Sequence, residues 1–239
     1  MARKAAVVFL LDVDNTLVDG DRLVADLKRN LRTAFEDDDL GQYWTIFEAW
    51  RVELGYVDYL DALQRYRINN PRDQHCLRIS TFLLDYPFAE LLYPRALDLV
   101  AMLRTRGPTV IVSDGDVVLQ PRKIERSGLF HAFSGHILLY IHKEQELEDV
   151  EARYPSDHYI FVDDKPRILA AVKKVWGPRV TTVFPRQGHY AHDLESVARH
   201  PSPDVTIEHI GDLLEYDVAA LRGAAMVDVV SRRGIASGS

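Results

Sequence analysis

Cysteine is nearly missing from this chain: Cys76 is the single thiol in 239 residues. One thiol closes no intrachain disulfide and supplies no cysteine-rich metal site, which fits a reducing compartment. Basic charge is also in short supply. Lys and Arg number 29 against 36 Asp and Glu, a net charge of −7. Phosphate backbones need a positive face, so neither nucleic acid nor a membrane surface is expected as a partner. No apolar run approaches the ~20 residues that span a bilayer. The N-terminal stretch is basic and then apolar, as a secretory signal is. Its apolar run covers only Ala5 to Leu11, no small-x-small cleavage site follows, and Asp12 and Asp14 come at once. It reads as a buried strand in a cytoplasmic protein. The nine histidines are scattered, without His-Glu-x-x-His spacing. There is no internal repeat and no low-complexity segment.

What is present is globular. Hydrophobic residues make up 47% and charged residues 27%, which rules out a disordered chain, a collagen and a coiled coil. At about 150 residues per domain, the length suits one large domain or one with an insertion. Four apolar runs stand out: Ala5–Leu11, Thr109–Val112, Ile137–Ile141 and Tyr159–Val162, with Val180–Val183 weaker. None alternates with polar residues, as expected of strands covered on both faces in a parallel sheet. Amphipathic stretches of helical length lie between them: Arg95–Arg106, Gln145–Arg153 and Pro166–Trp176. Gly107-Pro108 and Gly177-Pro178 end two of these, and Pro166 suits a first helical turn. Alternating strands and helices predict a doubly wound α/β sheet.

One gap breaks the rhythm. Between strand one and the helix at Arg95, the chain reads as helical throughout. Leu23, Leu27, Leu31 and Ala34 share one face; Tyr43, Phe47, Trp50 and Leu54 share another. Leu60 and Leu63 are weaker, and Ile79, Leu83 and Leu84 mark a fourth helix. The expected organisation is an α/β core from residues 1–18 and 90–230, a helical insertion over 19–89 packed as its own small domain, and a frayed tail over 231–239.

Each strong apolar run is followed at once by reactive side chains. Asp12 and Asp14 follow the first, Ser113, Asp114 and Asp116 the second, His142 and Lys143 the third, Asp163, Asp164 and Lys165 the fourth. Ligands of open α/β sheets bind beyond the carboxyl ends of the strands, so this fold brings all four groups to one rim. Asp-x-Asp-x-Thr alone arises by chance roughly 0.1 times in such a chain. Demanding seven preceding apolar residues lowers that to roughly 0.0005.

With these residues in view, the sequence resembles the haloacid dehalogenase-like (HAD) hydrolase superfamily. Asp12-Val13-Asp14-Asn15-Thr16-Leu17 is similar to its first motif, Ser113 in Ile-Val-Ser-Asp-Gly-Asp to its second, Lys143 to its third, and Phe161-Val162-Asp163-Asp164 to its fourth. The insertion resembles that superfamily's C1 caps in place and helical character. The resemblance implies a HAD-like, Rossmann-type core and Mg²⁺-dependent phosphatase chemistry on a small-molecule phosphate monoester. Asp12 would be the nucleophile and form an aspartyl-phosphate. Asp14 would protonate the leaving alkoxide and then deprotonate water. Ser113, Asp114 with the neighbouring backbone, and Lys143 would grip phosphate oxygens. Asp12, the Asp14 carbonyl and Asp163 would hold Mg²⁺, with Asp164 supporting the metal site from behind.

Other roles compete for the same residues. Asp12 and Asp14 also suit a strand-end turn, Ser113 a helix N-cap, Lys143 a solvated pair with Glu144, and the Asp163–Asp164 doublet a cap on the Pro166 helix. Lys165 rivals Lys143 for the cationic role. His189 and His192, after the fifth strand and near Arg186, are within reach of the rim but read as loop or surface histidines. Tyr43, Phe47 and Trp50 read as helix packing, Cys76 as a small buried residue, and Arg51, Tyr56 and Tyr59 around Gly55 as a loop able to select substrate. A phosphomutase on the same scaffold and a non-catalytic binding protein are the competing functions. Carbon–halogen displacement has no use for an acid at Asp14.

Overall fold

The structure, a computed structural model, describes residues 4–32 and 37–225. Ala34 and the 226–239 segment, including the expected tail, lie outside the described residues. Strand β1 (Val8–Leu11) leads into four helices, α1 (Gly20–Arg32), α2 (Asp37–Leu54), α3 (Tyr59–Asn69) and α4 (His75–Asp85). Helix α5 (Ala96–Arg104) precedes β2 (Thr109–Asp114), and α6 (Leu119–Arg126) and α7 (Leu129–Ala132) precede β3 (Ile137–Tyr140). Then come α8 (Leu147–Arg153), β4 (Tyr159–Val162), α9 (Pro166–Trp176), β5 (Val180–Pro185), α10 (Gly188–His192), α11 (Leu194–Ala198) and β6 (Val205–Ile207).

The six strands form one parallel sheet in the order β3-β2-β1-β4-β5-β6. This is the doubly wound α/β fold expected from the apolar runs. Side chains alternate between the two faces of β1. Phe9 and Leu11 join one apolar layer with Ile111 and Ile160, while Val8 and Leu10 join the other with Val110, Phe161 and the buried stripe of α9, Ile168, Leu169 and Val172. Both layers are covered, which explains the continuous apolar runs of β1, β4 and the middle of β2, while β5 keeps two buried threonines, Thr181 and Thr182. β6, only three residues long, has no run of its own in the sequence.

Leu23, Leu27 and Leu31 form the buried stripe of α1, each contributing about 1.5–3 kcal/mol on burial. They merge with Tyr43, Phe47, Ile79 and Leu83, and also with Phe9 and Leu11 of the sheet, into one cluster. The helical insertion therefore shares an apolar layer with the sheet. Its two ends are tied together: Val18 bridges Leu92 antiparallel, Asp19 N–H donates to the Leu91 carbonyl, and Tyr93 N–H to that of Leu17. This pairing holds the helices over the carboxyl end of β1.

Sequence order runs outward from β1 through β2 to β3 on one side and from β4 through β5 to β6 on the other. The direction reverses between β1 and β4, and such switch points leave a crevice at the strand ends. Asp12 ends one of these strands and Asp163 the other.

Candidate active site

The loop after β1 is a tight turn built on one carbonyl. The N–H groups of Thr16, Leu17 and Val18 all converge on the Val13 oxygen. Asn15 takes a left-handed conformation (φ 54°), a region Asn tolerates better than most residues. The turn leaves Asp12 buried at the strand end and lifts Asp14 to the wall of a cavity of about 390 Å³. Phe47, Arg51, Tyr56 and Tyr59 from the insertion line the same cavity, as do Asp114, Asp164 and Lys165 from the core. That volume is in the range of small-ligand sites.

Lys143 lies at the centre of the buried charge. Its side chain is fully buried, and its Nζ is 2.5 Å from Asp12 Oδ1 and 2.6 Å from Asp163 Oδ2, the latter an ion pair not aligned as a hydrogen bond. Burial alone would lower the affinity of this amine for its proton. The carboxylates of Asp12 and Asp163 reverse that and hold it well above the ordinary lysine value, so it is an ammonium. Its backbone N–H donates to Asp114 Oδ1 at 2.7 Å, which sets the direction of the β3 end. Glu144 pairs with Arg167 instead of Lys143. Lys165, the rival cation, lies in the cavity wall with its ammonium 5.8 Å from the centre of the Tyr190 ring.

The doublet after β4 is asymmetric. Asp163 is occupied: Oδ1 accepts the Lys165 N–H at 2.8 Å and Oδ2 faces Lys143. Asp164 is equally buried, yet neither of its carboxylate oxygens has a hydrogen-bond partner among the described residues. Burial and the neighbouring carboxylates of Asp163 and Asp12 push its carboxyl well above the ordinary value. Oxygens from Asp12, Asp163 and Asp164 lie within 4.8 Å of one another. A compact, oxygen-only set with two unpartnered buried atoms fits a hard divalent cation. The sequence reading put Asp163 against the metal and Asp164 behind it. The geometry gives the unused oxygens to Asp164, because backbone and lysine donors already engage Asp163.

Asp14 stands apart from this cluster and has partners that the sequence did not disclose. Lys123 Nζ is 2.6 Å from its Oδ1, and Gln120 Nε2 donates to Oδ2 at 3.0 Å. Burial would raise this carboxyl, but the Lys123 charge and both hydrogen bonds outweigh it and hold it below the ordinary aspartate value. Gln120 also donates to Ser113 Oγ at 2.9 Å, joining the residues after β1 and β2 in one network. Gly115 allows this contact, since a Cβ there would lie 2.9 Å from that of Gln120. Ser113 does not cap α6. Asp116, two residues before the N-cap Val118, accepts from the N–H groups of Val118 and Leu119. Lys123 and Gln120 are three apart on one helical face. Neither is marked in the sequence, since only the structure shows that α6 buries them.

Two residues do more than the sequence suggests. His189 is exposed, as expected, and also lines the cavity, with its Nδ1 2.6 Å from Asp21 Oδ1. Phe47 is more than helix packing, since it stacks on Tyr59 at 5.1 Å and also faces the cavity. Cys76 is buried and His192 exposed, as expected. Trp50 packs under the Arg65 guanidinium at 3.3 Å.

A family profile described as haloacid dehalogenase-like hydrolase matches residues 7–184. Curated proteins gave no match. Among solved structures, a haloacid dehalogenase-like hydrolase from Burkholderia xenovorans LB400 is 57% identical, with a TM-score of 0.87 over 90% of this chain and 100% of its own. The magnesium-bound HAD-hydrolase YfnB from Bacillus subtilis is 18% identical, with a TM-score of 0.58 over 89% of this chain and 98% of its own. An L-2-haloacid dehalogenase from Xanthobacter autotrophicus, with chloropropionic acid covalently bound, is 15% identical, with a TM-score of 0.58 over 88% and 97%. These last two share the fold.

Proposed function

Since the chain belongs to the haloacid dehalogenase-like hydrolase family, we propose that it is a Mg²⁺-dependent phosphatase acting on a small phosphate monoester. The observation that carries this reading is the buried group of Asp12, Asp163 and Asp164 around Lys143. A phosphate ester brings negative charge to a carboxylate nucleophile, and such a meeting needs cationic compensation. Displacing halide from carbon involves no dianionic group. The Asp163–Asp164 doublet beside Asp12 would then be a cost without a use.

Asp12, Asp163 and Asp164, with the Asp14 carbonyl, would hold Mg²⁺, which when bound offsets the charge of the phosphoryl oxygens. The remaining work falls to the chain's own residues. An Asp12 carboxylate oxygen bonds to phosphorus as the bond to the substrate's alkoxide breaks, and Asp14 gives its proton to that alkoxide. A water then attacks the phosphorus and loses a proton to Asp14, while the Asp12 oxygen departs with its electron pair. Lys123 keeps Asp14 a carboxylate between turnovers, so the proton for the alkoxide is taken up from solvent as the ester's negative charge enters beside it, and the proton gained from water returns there. Lys123 favours the carboxylate form that the water step requires. Lys143 holds Asp12 in place and neutralises charge on the phosphoryl group. Ser113, positioned by Gln120, supplies a phosphate contact. The helical insertion acts as a cap that limits water and leaving-group size.

The test is inorganic phosphate release from a panel of small phosphate esters with Mg²⁺, run beside Asp12→Asn. The variant is expected to fold and to lose at least ~10³-fold in turnover. Near wild-type turnover in the variant would remove Asp12 as the nucleophile.

A further inference from the structure

The loop after β5 is clamped onto the turn after β1. Gln187 Nε2 donates to the carbonyls of Asn15 and Thr16, while its Oε1 accepts the Ile210 N–H. Gly188 lies so close to Asn15 that a Cβ there would be 2.5 Å from Asn15 Cγ. The clamp brings His189 to the cavity that Asp14 and the apolar side chains of Val24, Phe47 and Val57 also line.

Hydrogen bonds around His189 specify its tautomer. The Asn15 amide is oriented by the backbone, because its Oδ1 accepts the Asp21 N–H at 3.2 Å. Its Nδ2 must then be the atom that donates to Asp21 Oδ1, at 3.2 Å. His189 Nδ1 reaches the same oxygen at 2.6 Å and lies 3.5 Å from Asn15 Nδ2. Two nitrogens that close, sharing one carboxylate oxygen, are both donors, so His189 carries its proton on Nδ1. Burial would raise the Asp21 carboxyl, but His189 and Asn15 hold it below the ordinary value and it stays an anionic acceptor. In neutral imidazole the other nitrogen is then an acceptor. Nε2 has no protein partner among the described residues.

We propose that His189 is a specificity-determining residue whose Nε2 accepts a hydrogen bond from a hydroxyl on the leaving group, near the ester oxygen. The substrate class is then hydroxyl-bearing phosphate monoesters, whose carbon skeleton lies against the apolar wall. This rests on the phosphatase reading above and extends it to the alcohol half of the substrate. An Asp–His pair as exposed as this one adds little to stability. A recognition role gives the three-residue network and the clamp a purpose that stability does not.

The test separates the two readings by measuring binding apart from turnover. Calorimetric titration of Asp12→Asn with Mg²⁺ compares 2-hydroxypropyl phosphate with propyl phosphate, which differ by one hydroxyl. The hydroxylated ester is expected to bind about 5- to 10-fold more tightly. Adding His189→Leu should bring the ratio near one, and His189→Gln, whose amide oxygen accepts, should restore part of it. A ratio near one before the change, one that survives His189→Leu, or no binding of either ester overturns the proposal. Long-range ¹H–¹⁵N correlation spectra at pH 8.5 should show the Nδ1–H tautomer at His189 and its loss in Asp21→Ala. An Nε2–H tautomer in the unaltered protein also overturns it. Phosphate release by the unaltered enzyme is read separately. If neither ester is turned over while the binding ratio holds, the phosphatase reading fails and the His189 assignment stands.

Discussion

Two lysines at the rim have opposite surroundings and different consequences. Lys143 bridges two carboxylates in full burial, so removing it would strand their charges. Lys123 faces one carboxylate, Asp14, and tunes it. The sign follows from the pair. Asp14 lies below its ordinary value, so its base form persists to lower pH than an isolated aspartate's would. Lys123→Met removes the charge that opposes burial, and the Asp14 carboxyl then rises. The acidic limb of the kcat profile is expected to move to higher pH in Lys123→Met. A pH–rate series on one aryl phosphate would check this, and an unmoved acidic limb would dissociate Asp14 from the proton transfers. The same depressed carboxyl also contributes to folding. That stability is present above the unfolded value and is lost as pH falls through the folded one.

Among the elements, strands and helices differ in how openly they announced themselves. The runs at β1, β2 and β4 were legible because burial on both faces removes polar residues from the whole segment. Their polar sequels were legible for the same reason, since a reactive side chain directly after such a run must lie at a strand end. Lys123, Gln120 and His189 were hidden. Each reaches the cavity through its element's position in space, and a buried lysine on a helix has the same sequence pattern as an exposed one. The clamp on the β1 turn is an element-scale contact of this kind. Gly188→Ala adds a Cβ in a left-handed conformation (φ 69°) and against Asn15. The substitution is expected to cost about 1–3 kcal/mol and to displace His189. Thermal unfolding together with the tautomer spectrum would test both halves. An unshifted melting temperature would mean that the clamp gives way freely.

For the whole molecule, the acidic cluster links metal binding to folding. Unpartnered Asp164 oxygens beside Asp12 and Asp163 are a burden on the metal-free fold, and a cation that binds there stabilises the native state by mass action. At 100 times Kd the gain is about 2.7 kcal/mol, or roughly 5–10 °C for a chain of this size. Mg²⁺ titration followed by calorimetry should show the rise, and Asp164→Asn should abolish most of it. A melting temperature indifferent to Mg²⁺ would mean that the three carboxylates do not hold a metal. The insertion is joined to this economy, because its apolar stripe and one face of the sheet form a single cluster above the strand ends. Among the described residues no helix is long and apolar enough to cross a membrane.

Local chemistry in the sequence was enough to determine the parallel α/β core, the helical stretch after strand one, and the meeting of Asp12, Asp14, Ser113, Lys143, Asp163 and Asp164 at one rim. Those features follow from burial periodicity and from the geometry of strand ends, both of which act along the chain. Tertiary structure alone decided that Asp164 has the unused oxygens, that Lys123 holds Asp14, and that His189 lines the cavity with its Nδ1 against Asp21. These depend on side chains separated by about twenty to more than a hundred and fifty residues. Electrostatic and hydrogen-bonding energies depend on distances of a few ångströms, and sequence separation does not set such distances.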